Sequence, residues 1–178
     1  MLLRLMNDIL TASSLETGSM SIKPVNVDFS KAFNELFESL RPRVQEPGVE
    51  FLKDNPYDTL QMKIDTDRVS QVITNFVTNA VKYTHQGHIK VGYHTETRTT
   101  DGKQQQGLYI YCEDTGSGIS LEAQGKIFER FYKINDFVQG TGLGLSICKA
   151  FADACHGDIG VISEGIGRGS VFWIWIPF

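Results

Sequence analysis

The sequence has little cysteine, little proline and no large excess of charge. Its three cysteines form no C-x-x-C pair, which argues against a disulfide framework or a zinc site and fits a reducing cytoplasm. We expect Cys112, Cys148 and Cys155 to be small core residues. A net charge of −4 supplies no basic field for nucleic acid, so we expect no direct nucleic-acid partner.

Long apolar runs are also missing. None approaches the roughly 18 residues that span a bilayer. The apolar N-terminus is interrupted by Arg4, Asn7 and Asp8, and no small-residue cleavage site follows, which argues against a signal peptide. Its apolar positions follow helical spacing, so residues 1–16 are predicted to be the end of an amphipathic helix.

The remaining pattern predicts a single α+β domain. Asp28 is a candidate N-cap for the first helix, and polar turns join two of the strand pairs directly. We therefore predict a two-layer α/β sandwich with a mixed, mostly antiparallel sheet of about five strands and helices on one face. Helices are predicted at 29–40, 65–84 and 143–156, with a short helical piece at 122–132. Strands are predicted at 49–53, 59–64, 88–97, 107–113, 158–163 and 170–176, with an extended segment at 22–27 and a polar hairpin tip at 98–106.

The helix predicted at 65–84 carries a polar ridge beside its apolar face. Asn75, Asn79 and Lys82 follow one another at helical spacing on this ridge. Asparagine is a mediocre helix former, so two of them one turn apart suggest a purpose. Amide oxygens suit Mg²⁺, and an ammonium one turn on could meet a phosphate. The alternative is a solvated helix face.

One glycine motif follows a predicted strand, and a second opens a predicted helix. Asp114 ends a predicted buried strand and is followed by Gly116 and Gly118. Its carboxylate could accept a hydrogen bond from an amino group such as that of adenine. The glycines permit close approach of the backbone to a ligand. The second motif lies at the entry to the helix predicted at 143–156, where backbone amides suit a phosphate. Its spacing matches neither the dinucleotide-binding fingerprint nor the P-loop. Its residues are Gly140, Thr141, Gly142, Leu143, Gly144 and Leu145. The alternative is an ordinary strand-to-loop turn for the first motif and a glycine-rich helix entry without a ligand for the second.

Aromatic residues interrupt the loop-like region between the two glycine motifs. If this region is a mobile lid, its aromatic side chains would let it pack against the rest of the domain. They are Phe128, Phe131 and Tyr132, and Lys133 follows them. A small satellite core under a loop is the alternative reading.

In their order, these motifs resemble the N, G1, F and G2 boxes of sensor histidine kinases. The N box corresponds to Asn75 through Tyr83, the G1 box to Asp114 through Gly118, the F box to Phe128 and Phe131, and the G2 box to Gly140 through Leu145. Residues 1–20 resemble the end of the second helix of the dimerisation and phosphoacceptor domain. Residues 21–178 resemble the catalytic, ATP-binding domain with the Bergerat fold.

The resemblance implies a role for each matching position. Asn79 and Asn75 would coordinate Mg²⁺, Lys82 and Lys133 would approach the phosphates of ATP, and residues 120–139 would be the ATP lid. Asn75, Lys82 and Lys133 would be the catalytic residues. The nucleotide itself would contact Tyr83, Asp114, Gly116, Gly118, Ile119, Phe128 and Phe131, and the amides from Gly140 to Leu145 would hold its phosphates.

None of the four histidines stands in the context of the family's phosphoacceptor box. His85, His88, His94 and His156 are predicted to be structural. The resemblance then implies an acceptor histidine outside this chain, on the dimerisation domain of the same protein, and a response regulator receiver domain as the next partner. We expect a cytoplasmic fragment that is a monomer or weak dimer, from a homodimeric parent attached to the inner membrane.

Three rivals share the fold. Gyrase-like and chaperone ATPases carry a glutamate one turn before the magnesium asparagine, where this chain has Asn75, an amide that cannot take a proton. A degenerate partner-binding domain would have no need of three intact glycine and aromatic boxes. Serine kinases of the anti-sigma type and mitochondrial kinases are disfavoured by the lead-in helix and the F box.

Overall fold

A computed structural model of the chain describes residues 20–100, 102–134 and 141–178. The predicted helix at 1–16 and Gly140 lie outside these described residues. The helices are α1 (Phe29–Leu40), α2 (Thr66–Tyr83), α3 (Leu121–Gln124) and α4 (Gly144–Ala154), and a 3₁₀ turn spans Arg41–Arg43. The strands are β1 (Val25–Asp28), β2 (Val49–Asp54), β3 (Gln61–Ile64), β4 (Gly87–Thr100), β5 (Lys103–Asp114), β6 (Asp158–Ile162) and β7 (Ser170–Pro177).

A five-stranded sheet in the order β2-β4-β5-β7-β6 forms one layer. β2 runs parallel to β4, and the other neighbouring pairs are antiparallel. This confirms the predicted mixed, mostly antiparallel sheet of five strands. A separate two-stranded sheet, which the sequence did not predict, pairs β1 with β3.

The core lies between one face of the sheet and the helices. Alternate residues of β5 point into it, as the period of a half-buried strand requires, and Cys112 sits in register between Val91 and Phe172. From α2, Phe76 and Val77 are fully buried. Burying a side chain of this size contributes roughly 1.5–3 kcal/mol, so this face fixes α2 against the sheet.

Three local predictions were wrong in extent or detail. The hairpin predicted with its tip at 98–106 has a narrower tip, because β4 and β5 stay paired until Thr100 meets Lys103. The helix predicted at 122–132 ends at Gln124 and continues as turns. The Asp28 carboxylate makes no cap bond to α1 and instead accepts from the Leu60 amide at 3.0 Å.

None of the helices in the described ranges is both long and apolar enough to cross a membrane.

Candidate active site

Asp114 lies at the end of β5 and is almost fully buried, with 6% of its surface exposed. One carboxylate oxygen accepts from the Gly116 amide at 2.8 Å, and the other accepts from the Ser170 hydroxyl at 2.6 Å. Burial raises the pKa of this carboxyl, while the hydrogen bonds from Ser170 and Gly116 oppose the rise. Each oxygen keeps a further lone pair, so the group can accept a hydrogen bond from a ligand.

The two glycines of this turn are required by the protein's own backbone. A Cβ on Gly116 would overlap the Tyr83 carbonyl oxygen and lie 2.8 Å from the Thr84 hydroxyl. Gly118 has φ +66°, and a Cβ there would overlap the Gly165 carbonyl oxygen. The sequence predicted close approach to a ligand, whereas the structure shows close approach to α2 and to the β6–β7 loop.

The β6–β7 loop holds the turn from the other side. Its Gly167 amide donates to the Ser117 carbonyl at 2.7 Å, and its Gly169 amide donates to the Gly116 carbonyl at 3.1 Å. The Ser163 hydroxyl accepts from the Ile119 amide at 3.0 Å. Sequence reasoning missed this support, and the available signal was the glycine spacing just before β7.

The C-terminal end of α2 closes this side of the site. Tyr83 is half-buried, burial raises the pKa of its phenol, and its carbonyl accepts from the Ser117 amide at 3.0 Å. The Thr84 hydroxyl is buried without completing a hydrogen bond in the described part of the chain, although it approaches Asp114 closely enough to lower that carboxyl's pKa.

The polar ridge of α2 exists as predicted. Asn75, Asn79 and Lys82 are all half-buried. The Asn75 side-chain nitrogen donates to the Gly144 carbonyl at 3.1 Å and lies 3.6 Å from the Cys148 sulfur. Asn79 makes no side-chain hydrogen bond to another described residue. The ridge therefore offers amide oxygens beside the first turn of α4.

The glycine-rich entry to α4 contacts the segment that precedes it. Gly142 has φ +71°, and its carbonyl accepts from the Phe131 amide at 3.0 Å. Leu143 is buried and caps the helix, with its amide donating to the Thr141 hydroxyl at 3.3 Å. Leu145 packs partly against the core. The two leucines thus anchor the helix whose first amides were predicted to hold phosphates.

The predicted lid, residues 120–139, is described up to residue 134, and some of the apolar residues in this part pack against the core. Ile127 is buried, and Phe128 and Tyr132 pack against the core. Phe131 is 69% exposed and adopts φ 62°, so its backbone, and not its ring, makes the contact described above. Lys133 is half-buried.

A divalent cation could be held here only with help from a ligand. The described residues contain no group of three or more His, Cys, Asp or Glu that could bind a metal by themselves. Mg²⁺ commonly takes one or two protein ligands beside substrate phosphates, and the side-chain oxygens of Asn79 and Asn75 are suitable donors. The donor set therefore fits a nucleotide-bound magnesium ion.

Comparisons with known proteins agree with this geometry. Residues 64–178 match the family model described as histidine kinase-, DNA gyrase B-, and HSP90-like ATPase. The chain is 36% identical over 182 residues to the autoinducer 2 sensor kinase/phosphatase LuxQ of Vibrio vulnificus, covering 99% of this chain and 21% of LuxQ. It is 33% identical over 180 residues to the sensor protein kinase WalK of Staphylococcus haemolyticus, covering 99% of this chain and 28% of WalK.

Two solved structures are similar throughout most of the chain. Full-length ShkA in complex with AMPPNP matches with a TM-score of 0.80 and 31% identity, over 99% of this chain and 36% of ShkA. The nucleotide-free catalytic domain of histidine kinase ThkA matches with a TM-score of 0.68 and 27% identity, over 87% of this chain and 95% of that domain. The chain thus spans 21% and 28% of the length of these two curated relatives but 95% of a catalytic domain.

Proposed function

Because the chain belongs to the family of histidine kinase-, DNA gyrase B- and HSP90-like ATPases, we propose that it is the ATP-binding catalytic domain of a two-component sensor histidine kinase. The observation that carries the proposal is Asp114, a buried carboxylate with a lone pair to spare at the mouth of a rigid turn. It would accept a hydrogen bond from the adenine amino group. Tyr83, Gly116, Gly118 and Ile119 would shape the pocket around the base.

The phosphates would lie between α2 and the entry to α4. Amides at the N-terminus of α4, from Gly142 to Leu145, would donate to them, and the helix dipole favours their negative charge. Lys82 and Lys133 would neutralise further charge. Asn79 and Asn75 would hold Mg²⁺, which would supply neutralisation of the phosphate charge when bound. Catalysis in such a site is mainly the positioning of the γ-phosphate.

Phosphoryl transfer to a histidine is favoured over hydrolysis. The residue one turn before Asn79 is Asn75, whose amide nitrogen already donates to Gly144 and whose side chain cannot take a proton from water. The acceptor would be a histidine on the dimerisation domain of the same protein, and a receiver domain of a response regulator would take the phosphate next. These partners and a homodimeric, inner-membrane-attached parent are proposals supported by the resemblance to sensor kinases.

Residues 1–20 fit the same proposal as the end of the second dimerisation helix. Their helical apolar spacing is the support from the sequence.

Calorimetric titration with a non-hydrolysable ATP analogue, with and without magnesium, tests the proposal. We expect saturable binding that strengthens with the metal. With ATP, we expect slow phosphate release from the chain alone, and acid-labile phosphate on the histidine-bearing domain of the parent protein when that domain is added. Absence of binding would favour a degenerate partner-binding domain, and rapid hydrolysis without transfer would favour an ATPase.

A further inference from the structure

Asn75 joins the two helices that form the phosphate side of the site. It projects from the middle of α2, and its side-chain nitrogen lies 3.1 Å from the carbonyl oxygen of Gly144, the first residue of α4. The same nitrogen lies 3.6 Å from the sulfur of Cys148, one turn further along α4. One amide group therefore spans the first turn of α4.

The chemistry of the partners fixes which way this amide points. A backbone carbonyl can only accept, so the atom of Asn75 that faces Gly144 must be the NH₂ group. The Cys148 sulfur, a weak acceptor, faces the same nitrogen. The Asn75 oxygen accepts no hydrogen bond from another described residue, so it is the atom available to a cation or a phosphate-bound water.

The contact is also a close steric one. A Cβ added to Gly144 would lie 3.4 Å from the Asn75 side-chain carbon, so the carboxamide rests directly on the backbone of that glycine. Gly144 follows the loop residues Gly142 and Leu143, and the loop's other described tether is the bond from the Phe131 amide to Gly142.

We infer that Asn75 is a positioning residue, which holds the first turn of α4 and the glycine-rich loop in place through its NH₂ group, whether or not a metal is bound. This role is additional to the metal-ligand role that the family resemblance implies, and its meaning for nucleotide binding rests on the proposed function. A residue with both roles would couple the metal to the phosphate-binding amides through one rigid side chain.

Asn79 provides a matched control, since it is the same residue type one turn along the same helix without a described hydrogen bond. Amide hydrogen exchange of Ile147 and Cys148 is followed by NMR in the chain without nucleotide. We expect Asn75→Ala to accelerate exchange about fivefold, the equivalent of one hydrogen bond, and Asn79→Ala to leave it unchanged. Asn75→Leu keeps the volume between the helices while removing the donor, and it should accelerate exchange similarly if the alanine variant folds poorly.

Affinity for ADP is then measured in EDTA, where any metal role is silent. We expect Asn75→Ala to weaken binding about fivefold there, whereas Asn79→Ala weakens it only when magnesium is present. Wild-type exchange rates in both Asn75 variants would overturn the inference, as would faster exchange with unchanged ADP affinity. If the wild type binds no ADP, the proposed function fails, and the exchange result still decides whether Asn75 positions α4.

Discussion

The turn after β5 and the entry to α4 are both glycine motifs at the site, but the protein holds them very differently. The turn is clamped between α2 and the β6–β7 loop by backbone hydrogen bonds from Ser117, Gly167 and Gly169, and its aspartate is buried. In the part of the chain that the structure describes, the α4 entry is tethered by the contacts of Gly142 and Asn75.

The difference indicates how the two halves of a nucleotide would be bound. A turn whose groups are already fixed loses little conformational entropy on binding, so the proposed adenine side is preorganised. Among the described residues, the α4 entry has fewer hydrogen bonds to distant segments, although Leu143 buries its side chain in the core. The proposed phosphate side could therefore adjust its backbone to the ligand, as ligand-binding loops commonly do. A catalytic domain of this kind would recognise the base first and order its phosphate contacts afterwards.

The largest expected effect separates the two glycine motifs by stability. Gly116→Ala should cost about 3 kcal/mol of unfolding free energy, because its Cβ meets the fixed Tyr83 carbonyl and overpacking of a rigid site is expensive. Gly142→Ala should cost less, about 2 kcal/mol, from the left-handed conformation and from a new Cβ 2.8 Å from the Phe131 backbone, which fewer described hydrogen bonds hold in place.

Urea denaturation of both variants measures these costs. Gly125→Ala is the control, since its Cβ would meet only the Glu122 carbonyl, at 3.8 Å, and its φ is −72°. Equal costs at Gly116 and Gly142 would show that the two motifs are equally rigid and would remove the basis of the comparison.

The next effect concerns binding to the preorganised side. Asp114→Asn should lower nucleotide affinity about a hundredfold, because an ionised acceptor is replaced by a neutral amide. The fold should survive, since an asparagine oxygen can accept from Gly116 and its nitrogen can donate to the Ser170 hydroxyl. Calorimetry with ADP tests the affinity, and a thermal unfolding scan tests the stability. Unchanged affinity for ADP would mean that the adenine base binds elsewhere.

The smallest effect is the pH dependence of stability from the same carboxyl. Burial raises the pKa of Asp114 in the folded chain above its ordinary value of 3.8. Its contribution to stability is therefore fully present below that ordinary value and is lost as the pH rises through the raised pKa. In urea titrations from pH 3.5 to 8, the unfolding free energy of Asp114→Asn should increase relative to that of the wild type as the pH rises. A constant difference between the two proteins would contradict the raised pKa.

Much of the fold was predictable because it follows from local periodicity. The helix predicted at 65–84 is α2, which begins after Asp65 as its N-cap, with the Arg68 amide donating to the Asp65 carboxylate at 3.1 Å. The strand predicted at 107–113 lies within β5. The hairpin extension to Thr100 was missed, because polar strand residues paired beyond the core carry no hydrophobic pattern.

The site was predictable as a set of motifs but not as a set of contacts. Asp114, Asn75 and the two glycine motifs could be named from their residue types and spacing, and their proposed roles in ligand binding stay predictions. Ser170 and Ser163 could not be identified, because their partners lie 56 and 44 residues away in the chain. The exposure of Phe131 could not be predicted either, because the sequence of a loop does not indicate whether an aromatic side chain faces the core or the solvent.

The sequence by itself determined the order of helices and strands, the absence of a general base beside Asn79 and the family, because these depend on residue type and short-range spacing. Only the tertiary structure decided why Gly116 must be glycine, which loop supports Asp114 and what the Asn75 amide holds. Those facts depend on segments far apart in the chain meeting at hydrogen-bonding distance, and that proximity follows from packing the helices on the sheet.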